Sequence, residues 1–143
     1  RALRFHQQRS HQLMVDTDLH PGQTPIMFAL WRRDGQAQKD LAQRLHLSPP
    51  TVTVTVTRLE KAGLLERRRD PDDQRVSRVY LTERGRSLHE TVVNAIRATD
   101  AECLAGFTSE EEAQLQSYLT RMTDNLRRAL KGTENGKHSC GRK

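Results

Sequence analysis

Aromatic residues and cysteines are scarce in this sequence. Phe, Trp and Tyr together make up only 4% of its 143 residues, so little aromatic surface is available to fill a large core. The two cysteines, Cys103 and Cys140, are too few for a disulfide framework and lack the spacing of metal ligands. This cysteine usage fits a reducing compartment, and we expect a cytoplasmic protein without a metal site.

Long apolar runs and targeting signals are absent as well. No run approaches the roughly 20 residues that span a bilayer, and no segment combines a basic start, an apolar centre and a small-residue cleavage site. Because the chain opens on Arg1 rather than on Met, a leader lost from the start stays an open alternative. We expect no membrane partner.

Catalytic motifs are also missing. The sequence has no glycine-rich phosphate loop, no nucleophile elbow and no HExxH zinc motif. The carboxylate pair Asp72-Asp73 falls in a predicted hairpin tip, without the surrounding pocket that acid–base catalysis needs. The sequence therefore predicts a protein that is not an enzyme and needs no cofactor.

What the sequence does have is positive charge. It contains 24 Lys and Arg against 18 Asp and Glu, which gives a net charge of +6. Such an excess favours a polyanionic partner such as nucleic acid, with a generally basic surface as the alternative. At this length the chain forms one domain, or one domain with helical extensions.

Turn residues and hydrophobic periodicity divide the chain into mostly helical segments. Thr24-Pro25 and Thr82 are good helix starts, and Thr108 with Glu111 forms a capping-box pattern. The sequences LLERRR and RVSRVYL indicate two strands joined by the turn DPDDQ. The predicted elements are helices 1–16, 24–34, 38–46, 82–104 and 108–131, strands 64–69 and 75–81, and a disordered tail 132–143.

The segment Leu47–Lys61 (LSPPTVTVTVTRLEK) allows two interpretations. Its alternating, β-branched centre is typical of a half-buried strand. However, Ser48 is a good N-cap, Pro49-Pro50 suits a first helical turn but not a sheet, and Gly63 is a suitable helix stop. Keeping β-branched residues in a helix costs about 2–3 kcal/mol here, which tertiary packing routinely exceeds. We therefore predict a helix at 49–62.

A helix at 38–46 followed by one at 49–62 has the spacing of a helix-turn-helix, and the predicted hairpin at 64–81 follows immediately. This order of elements is that of a winged helix. In such folds the second helix enters the major groove of DNA. The hairpin tip can then reach the backbone or the adjacent minor groove, so the sequence predicts a DNA-binding lobe.

The segment KDLAQRLHLSPPTVTVTVTRLEKAGLLERRRDPDDQRVSRVYLTERG resembles the DNA-binding core of the MarR family of bacterial transcription regulators. Its most specific features are RLEKAGLLERR, the DPDDQR loop and LTERG, and the likeness covers roughly residues 19–130. It implies a mainly α (α+β) fold. A winged helix-turn-helix lobe (21–103) would be joined to a dimerisation lobe formed by residues 1–20 and 104–131.

The resemblance also implies a function, which is transcription regulation, more often repression, by a homodimer on a pseudo-palindromic operator of double-stranded DNA. Two alternatives remain. A sequence-indifferent architectural DNA-binding dimer would suit the thinly charged face of the second helix. A dimeric ligand-binding or interaction protein without DNA binding is the more remote alternative.

The resemblance places Arg75 at the wing position that enters the minor groove, with Asp72 or Asp73 orienting it or a neighbouring arginine. An ordinary exposed salt bridge on the hairpin is the alternative for Arg75. The predicted DNA-binding residues are Ser48, Pro50, Thr51, Thr53, Val54, Thr57, Arg58, Lys61, Arg69, Asp73, Arg75 and Arg78.

The helix predicted at 49–62, which would be the recognition helix, departs from the family pattern in its sequence. The family has Arg, then an aliphatic residue, where this chain has Val54 and Thr55, and often Asp where it has Thr57. Its outward side would therefore be rich in methyl and hydroxyl groups. Methyls suit contact with thymine, and threonine hydroxyls can bond to phosphate or to either base edge.

The resemblance further implies a small-molecule effector, for which an aromatic compound is one option, bound where the dimer helices meet the winged-helix lobe. We expect His11, Met27, Trp31 and His89 near this pocket, with ordinary core positions as the alternative for each. Cys103 ends the apolar stripe of its helix and is expected to be a buried structural thiol. The predicted dimer interface comprises Leu3, Leu115, Leu119, Met122, Leu126 and Leu130.

Overall fold

The computed structural model describes residues 1–137, and its contacts divide the chain into two units that meet between Cys103 and Leu104 in the sequence. The prediction of a mainly helical fold with a small sheet is confirmed. The helices are α1 (Ala2–Leu13), α2 (Thr24–Arg32), α3 (Gln38–Leu45), α4 (Pro49–Lys61), α5 (Glu83–Cys103) and α6 (Ser109–Lys137), and the strands are β1 (Gln36–Ala37), β2 (Leu65–Arg69) and β3 (Ser77–Leu81).

The β-branched segment is a helix, as predicted. Ser48 caps α4, because its Oγ accepts a 3.3 Å hydrogen bond from the backbone N of Thr51. Val52, Val56 and Leu59 lie at helical spacing and are each 0% exposed in the core. Their complete burial supplies the packing energy that outweighs the low helix propensity of the segment.

The turn between α3 and α4 is short because the chain reverses at His46. This residue adopts a left-handed conformation with φ of 53°, which ends α3. The backbone N of Leu47 then bonds to the carbonyl oxygen of Ala42 at 3.0 Å. Leu41 of α3 is 0% exposed, so the two helices share one core in the order predicted for a helix-turn-helix.

The hairpin of β2 and β3 is the wing of the winged helix. It is part of a three-stranded antiparallel sheet in the order β1-β3-β2. The hairpin of β2 and β3 was predicted, whereas β1 was not, because two residues carry no readable periodicity. Gln36 of β1 is 4% exposed, and its Nε2 donates to the carbonyl oxygens of Ala29 (2.7 Å) and Arg33 (2.6 Å) at the end of α2. Its side chain therefore joins the sheet to α2.

Thr82 begins α5, as predicted, since its Oγ1 accepts a 3.0 Å hydrogen bond from the backbone N of Gly85. The same hydroxyl donates to the carbonyl oxygen of Gly63 at 2.7 Å. Farther along, Val92 and Thr99 are buried where α1 packs against α5. Thr82 thus ties the long helix to the end of α4.

The predicted burial of Cys103 is wrong, because its thiol is exposed. Thr99, which is 2% exposed, is the last buried residue of α5. Cys103 lies one turn farther, beyond the surface that covers Thr99. Across the contact of α1 and α5, Arg9 donates from Nε (2.6 Å) and Nη2 (2.7 Å) to the carboxylate of Glu102.

The second unit consists of α6 and the residues before it. Thr108 and Glu111 form the predicted capping box, with reciprocal bonds of 2.8 and 3.3 Å between side chains and backbone N–H groups. The helix continues through Lys137, past residue 132, where a disordered tail was predicted to begin. The rest of that predicted tail, including Cys140, lies outside the described residues.

The predicted apolar stripe of α6 is on the surface of the chain. Leu119, Met122, Leu126 and Leu130 are 53–63% exposed, and Leu115 is partly buried. Leu3 of α1, in the other unit, is 70% exposed. Among residues 1–137, no helix has both the length and the apolar character needed to cross a bilayer.

Candidate nucleic-acid interface

One side of α4 is free of contacts with the core and carries most of the predicted DNA-binding residues. Val54, an apolar side chain, is 50% exposed. Thr57 is partly buried. The exposed predicted residues of this side are Pro50, Thr51, Thr53, Val54, Arg58 and Lys61.

Three of the four threonines of α4 use their hydroxyl hydrogens inside the helix. Thr53 Oγ1 donates to the carbonyl oxygen of Pro49 at 3.0 Å, and Thr57 Oγ1 donates to that of Thr53 at 2.9 Å. Thr55 makes the same bond to Thr51 at 2.8 Å. Because each hydroxyl has one hydrogen, these residues keep only an acceptor oxygen and a methyl group for a partner outside the helix.

Arg67 of β2 braces the wing against α4, a role that the sequence did not reveal. Its Nη2 donates to Thr57 Oγ1 at 2.8 Å, and its Nη1 lies 3.2 Å from Glu60 Oε2. In the sequence, Arg67 is one of three consecutive arginines in the predicted strand LLERRR. Which of them points toward α4 depends on the strand register, in which Arg67 stands opposite Val79.

Asp70 organises the loop between β2 and β3 (the wing loop, residues 70–76). This role was not predicted from the sequence. Asp70 is only 5% exposed, and its Oδ1 accepts from the backbone N of Asp72 (2.8 Å) and of Asp73 (3.1 Å). Its Oδ2 accepts from the Arg78 side chain. These bonds hold the pKa of the Asp70 carboxyl below its ordinary value, the Arg78 hydrogen bond being the largest cause. The sequence signal for this role is the position of Asp70 directly before Pro71, where an aspartate side chain can accept hydrogen bonds from the backbone of the turn.

Arg75 lies at the exposed tip of this loop. Its backbone N donates to Asp73 Oδ1 at 3.0 Å, so Asp73 orients the backbone of Arg75. Within residues 1–137, the structure records no ion pair of the Arg75 guanidinium. Arg69 donates to the carbonyl oxygen of Gln74 at 3.3 Å. The loop thus presents the Arg75 guanidinium on a fixed backbone.

Comparisons with known proteins agree with this geometry. Residues 19–77 match the model of the MarR family. The HTH-type transcriptional regulator YdgJ of Bacillus subtilis (strain 168) is 30% identical over 110 residues, which are 77% of this chain and 67% of that protein. This chain belongs to the MarR family. It is a helix-turn-helix transcription regulator, and the prediction that it is not an enzyme is confirmed by these relatives.

Solved structures extend the similarity over most of this MarR-family chain. S. aureus MepR, solved as a complex with DNA, has a TM-score of 0.76 at 26% identity, with 85% of this chain and 90% of that chain covered. A probable transcriptional regulator from Pseudomonas aeruginosa has a TM-score of 0.69 at 30% identity, with 84% and 92% covered. The winged-helix architecture is therefore shared.

Arg78 is engaged inside the regulator. Its side chain pairs with Asp70, and its Nη1 donates to the carbonyl oxygen of Gly35 at 3.0 Å. The Asp70 hydrogen bond raises the pKa of the Arg78 guanidinium. These contacts join β3 to the wing loop and to the chain before β1. A DNA contact by Arg78 stays a prediction, but its observed bonds serve the wing.

Two of the four residues predicted to surround an effector line the same cavity in this MarR-family chain. The rings of Trp31 and His89 pack edge to face, with their centroids 4.9 Å apart. Together with Arg86 they line a cavity of about 310 Å³. Met27 is 0% exposed in the core. His11 instead contacts His20, with Nε2 and Nδ1 3.0 Å apart. No group of three or more potential metal ligands occurs in the described part of the chain.

Proposed function

We propose that this regulator binds a pseudo-palindromic operator in double-stranded DNA as a homodimer. The exposed side of α4 would enter the major groove, and Arg75 would enter the adjacent minor groove. The observation that carries the proposal is that α4 and the wing are held in a fixed arrangement by side-chain hydrogen bonds. Arg67 ties the wing strand to α4, and Asp70 fixes the loop backbone that presents Arg75.

The homodimer is supported by apolar surface that the single chain leaves uncovered. On α6, Leu119 and Leu126 are 53% and 63% exposed, and on α1, Leu3 and Phe5 are 70% and 60% exposed. Soluble proteins rarely leave apolar side chains exposed in a row along a helix, because burying each of them is worth about 1.5–3 kcal/mol. A second copy would cover these faces and place two α4 helices on successive turns of DNA.

Regulation would be repression, modulated by a small molecule in the cavity beside Trp31 and His89, in a cytoplasmic protein. The cavity lies between α2, β3 and α5 and combines the apolar surfaces of Leu30 and Leu81 with the ion pair of Arg86 and Asp34. A ligand would change DNA affinity only if it bound one arrangement of the dimer better than another.

The test is a titration of the purified protein with two duplexes at several salt concentrations. One duplex is selected by the protein from a random pool, and the other has a random sequence. Sequence-specific recognition predicts tighter binding of the selected duplex, typically by a factor of 10³ or more. Equal affinities with the same salt dependence would instead support the architectural alternative, which the methyl-rich face of α4 also suits.

A further inference from the structure

We propose that this protein recognises thymine in its operator through the C5-methyl group, with Val54 as the residue that determines this preference. The inference rests on the proposed DNA binding and adds the chemical group that α4 reads. The carrying observation is that α4 offers methyl groups, and few hydrogen-bond donors, at its exposed positions.

Thr53 and Thr57 are unable to donate to DNA while they keep their observed bonds. Each hydroxyl hydrogen is used by a carbonyl oxygen one turn earlier, at 3.0 Å for Thr53 and 2.9 Å for Thr57. The Thr57 oxygen also accepts from Arg67 at 2.8 Å. Phosphate oxygens and the N7 and O6 atoms of purines are acceptors only, so these two hydroxyls have nothing to give them.

Val54 is the half-exposed apolar side chain between these threonines. It is 50% exposed and lies in the first half of α4, the part of a recognition helix that contacts base edges. The charged residues Arg58 and Lys61 follow only in the last turn of the helix. On the major-groove edge of a base pair, thymine alone presents a methyl group, so an isopropyl group at position 54 matches thymine.

The experiment removes that methyl group from the DNA. A duplex selected by the purified protein from a random pool is resynthesised with deoxyuridine in place of thymidine, one position at a time. One buried methyl is worth about 0.8 kcal/mol. Replacing the thymine that contacts Val54 should therefore lower the affinity about fourfold in one half-site, and about fifteenfold in both half-sites. Unchanged affinity at every position would overturn the proposal, although DNA binding itself would stand.

The variant Val54→Ala identifies the residue that makes the contact. It keeps the helix, since alanine has the higher helix propensity. In this variant deoxyuridine should cause no further loss, because the methyl has lost its partner. A loss as large as in the unaltered protein would show that deoxyuridine acts through DNA shape and would overturn the role of Val54.

The matched control is Val15→Ala, which truncates another exposed valine (66%) outside α4. This control should keep the full deoxyuridine effect. If the purified protein selects no duplex from the pool, the proposed function fails together with the inference. Failure of the inference alone is therefore distinguishable from failure of sequence-specific DNA binding.

Discussion

The Nη2 atom of Arg67 on β2 donates a 2.8 Å hydrogen bond to Oγ1 of Thr57 on α4. Nη1 of the same guanidinium lies 3.2 Å from Oε2 of Glu60, and both side chains are about two-thirds buried. One side chain thereby sets the distance between the proposed recognition helix and the wing. No other described side chain is bonded to two α4 side chains from the sheet.

Replacing Arg67 by Met should therefore weaken both folding and DNA binding. We expect the free energy of unfolding in urea to fall by about 1 kcal/mol, the usual net worth of such a partly buried contact. Affinity for the selected duplex should also fall, because the wing loses its anchor. The control Arg97→Met removes an exposed arginine of α5 and should change neither quantity. An Arg67→Met variant with unaltered affinity would contradict the bracing role.

Gly85 is required by the close approach of α5 to the turn between α4 and β2. A Cβ atom there would lie 2.1 Å from the carbonyl oxygen of Leu64, whereas one at Gly22 would have nothing within 4 Å. Gly85→Ala should therefore destabilise the protein by about 1–3 kcal/mol. Gly22→Ala should leave stability unchanged or raise it slightly. Equal urea midpoints for the two variants would show that the approach at Gly85 is not rigid.

The wing loop should lose stability in acid through Asp70. Its carboxyl has a lowered pKa in the folded protein, chiefly because of the Arg78 hydrogen bond. A lowered pKa contributes stability that is complete above the ordinary carboxyl value of about 4 and is lost as the pH falls through the folded value. Asp70→Asn should therefore be less stable than the unaltered protein at neutral pH, and the difference should shrink in acid. A pH-independent difference in urea midpoints would refute this.

Arg75→Ala should weaken DNA binding without changing the fold. Its side chain is exposed at the wing tip, so little packing is lost. Losing a groove contact should cost about 1–3 kcal/mol of binding free energy, which is roughly 5- to 150-fold in affinity. Fluorescence anisotropy with the selected duplex measures this, and Arg97→Ala is the control of equal charge. If Arg75→Ala binds normally, the assignment of the wing tip is wrong.

The sequence was sufficient where structure is decided locally. The helix at 49–61 could be predicted because its signals, the Ser48 cap, the first-turn prolines and Gly63, all lie within a few residues of it. The Thr82 cap and the Thr108–Glu111 capping box are local in the same sense, and both were found.

Contacts between residues far apart in the chain could not be predicted from the sequence. Arg67 looks like its neighbours Arg68 and Arg69, and only the sheet register turns it toward α4. Similarly, Asp70 is one of several aspartates in the wing loop until its bonds to Arg78 and the backbone are seen. The burial of Cys103 was misjudged because periodicity shows the direction of a stripe but not where the covering surface ends.

The most direct measurement is to sequence the DNA that the pure protein selects from a random duplex pool. Two α4 helices related by two-fold symmetry predict an inverted repeat whose half-site centres lie about one helical turn, or 10–10.5 base pairs, apart. They also predict thymines at fixed positions in each half-site, from the exposed Val54. A pool that stays random after repeated selection, or a consensus without a repeat, would contradict sequence-specific binding by a dimer.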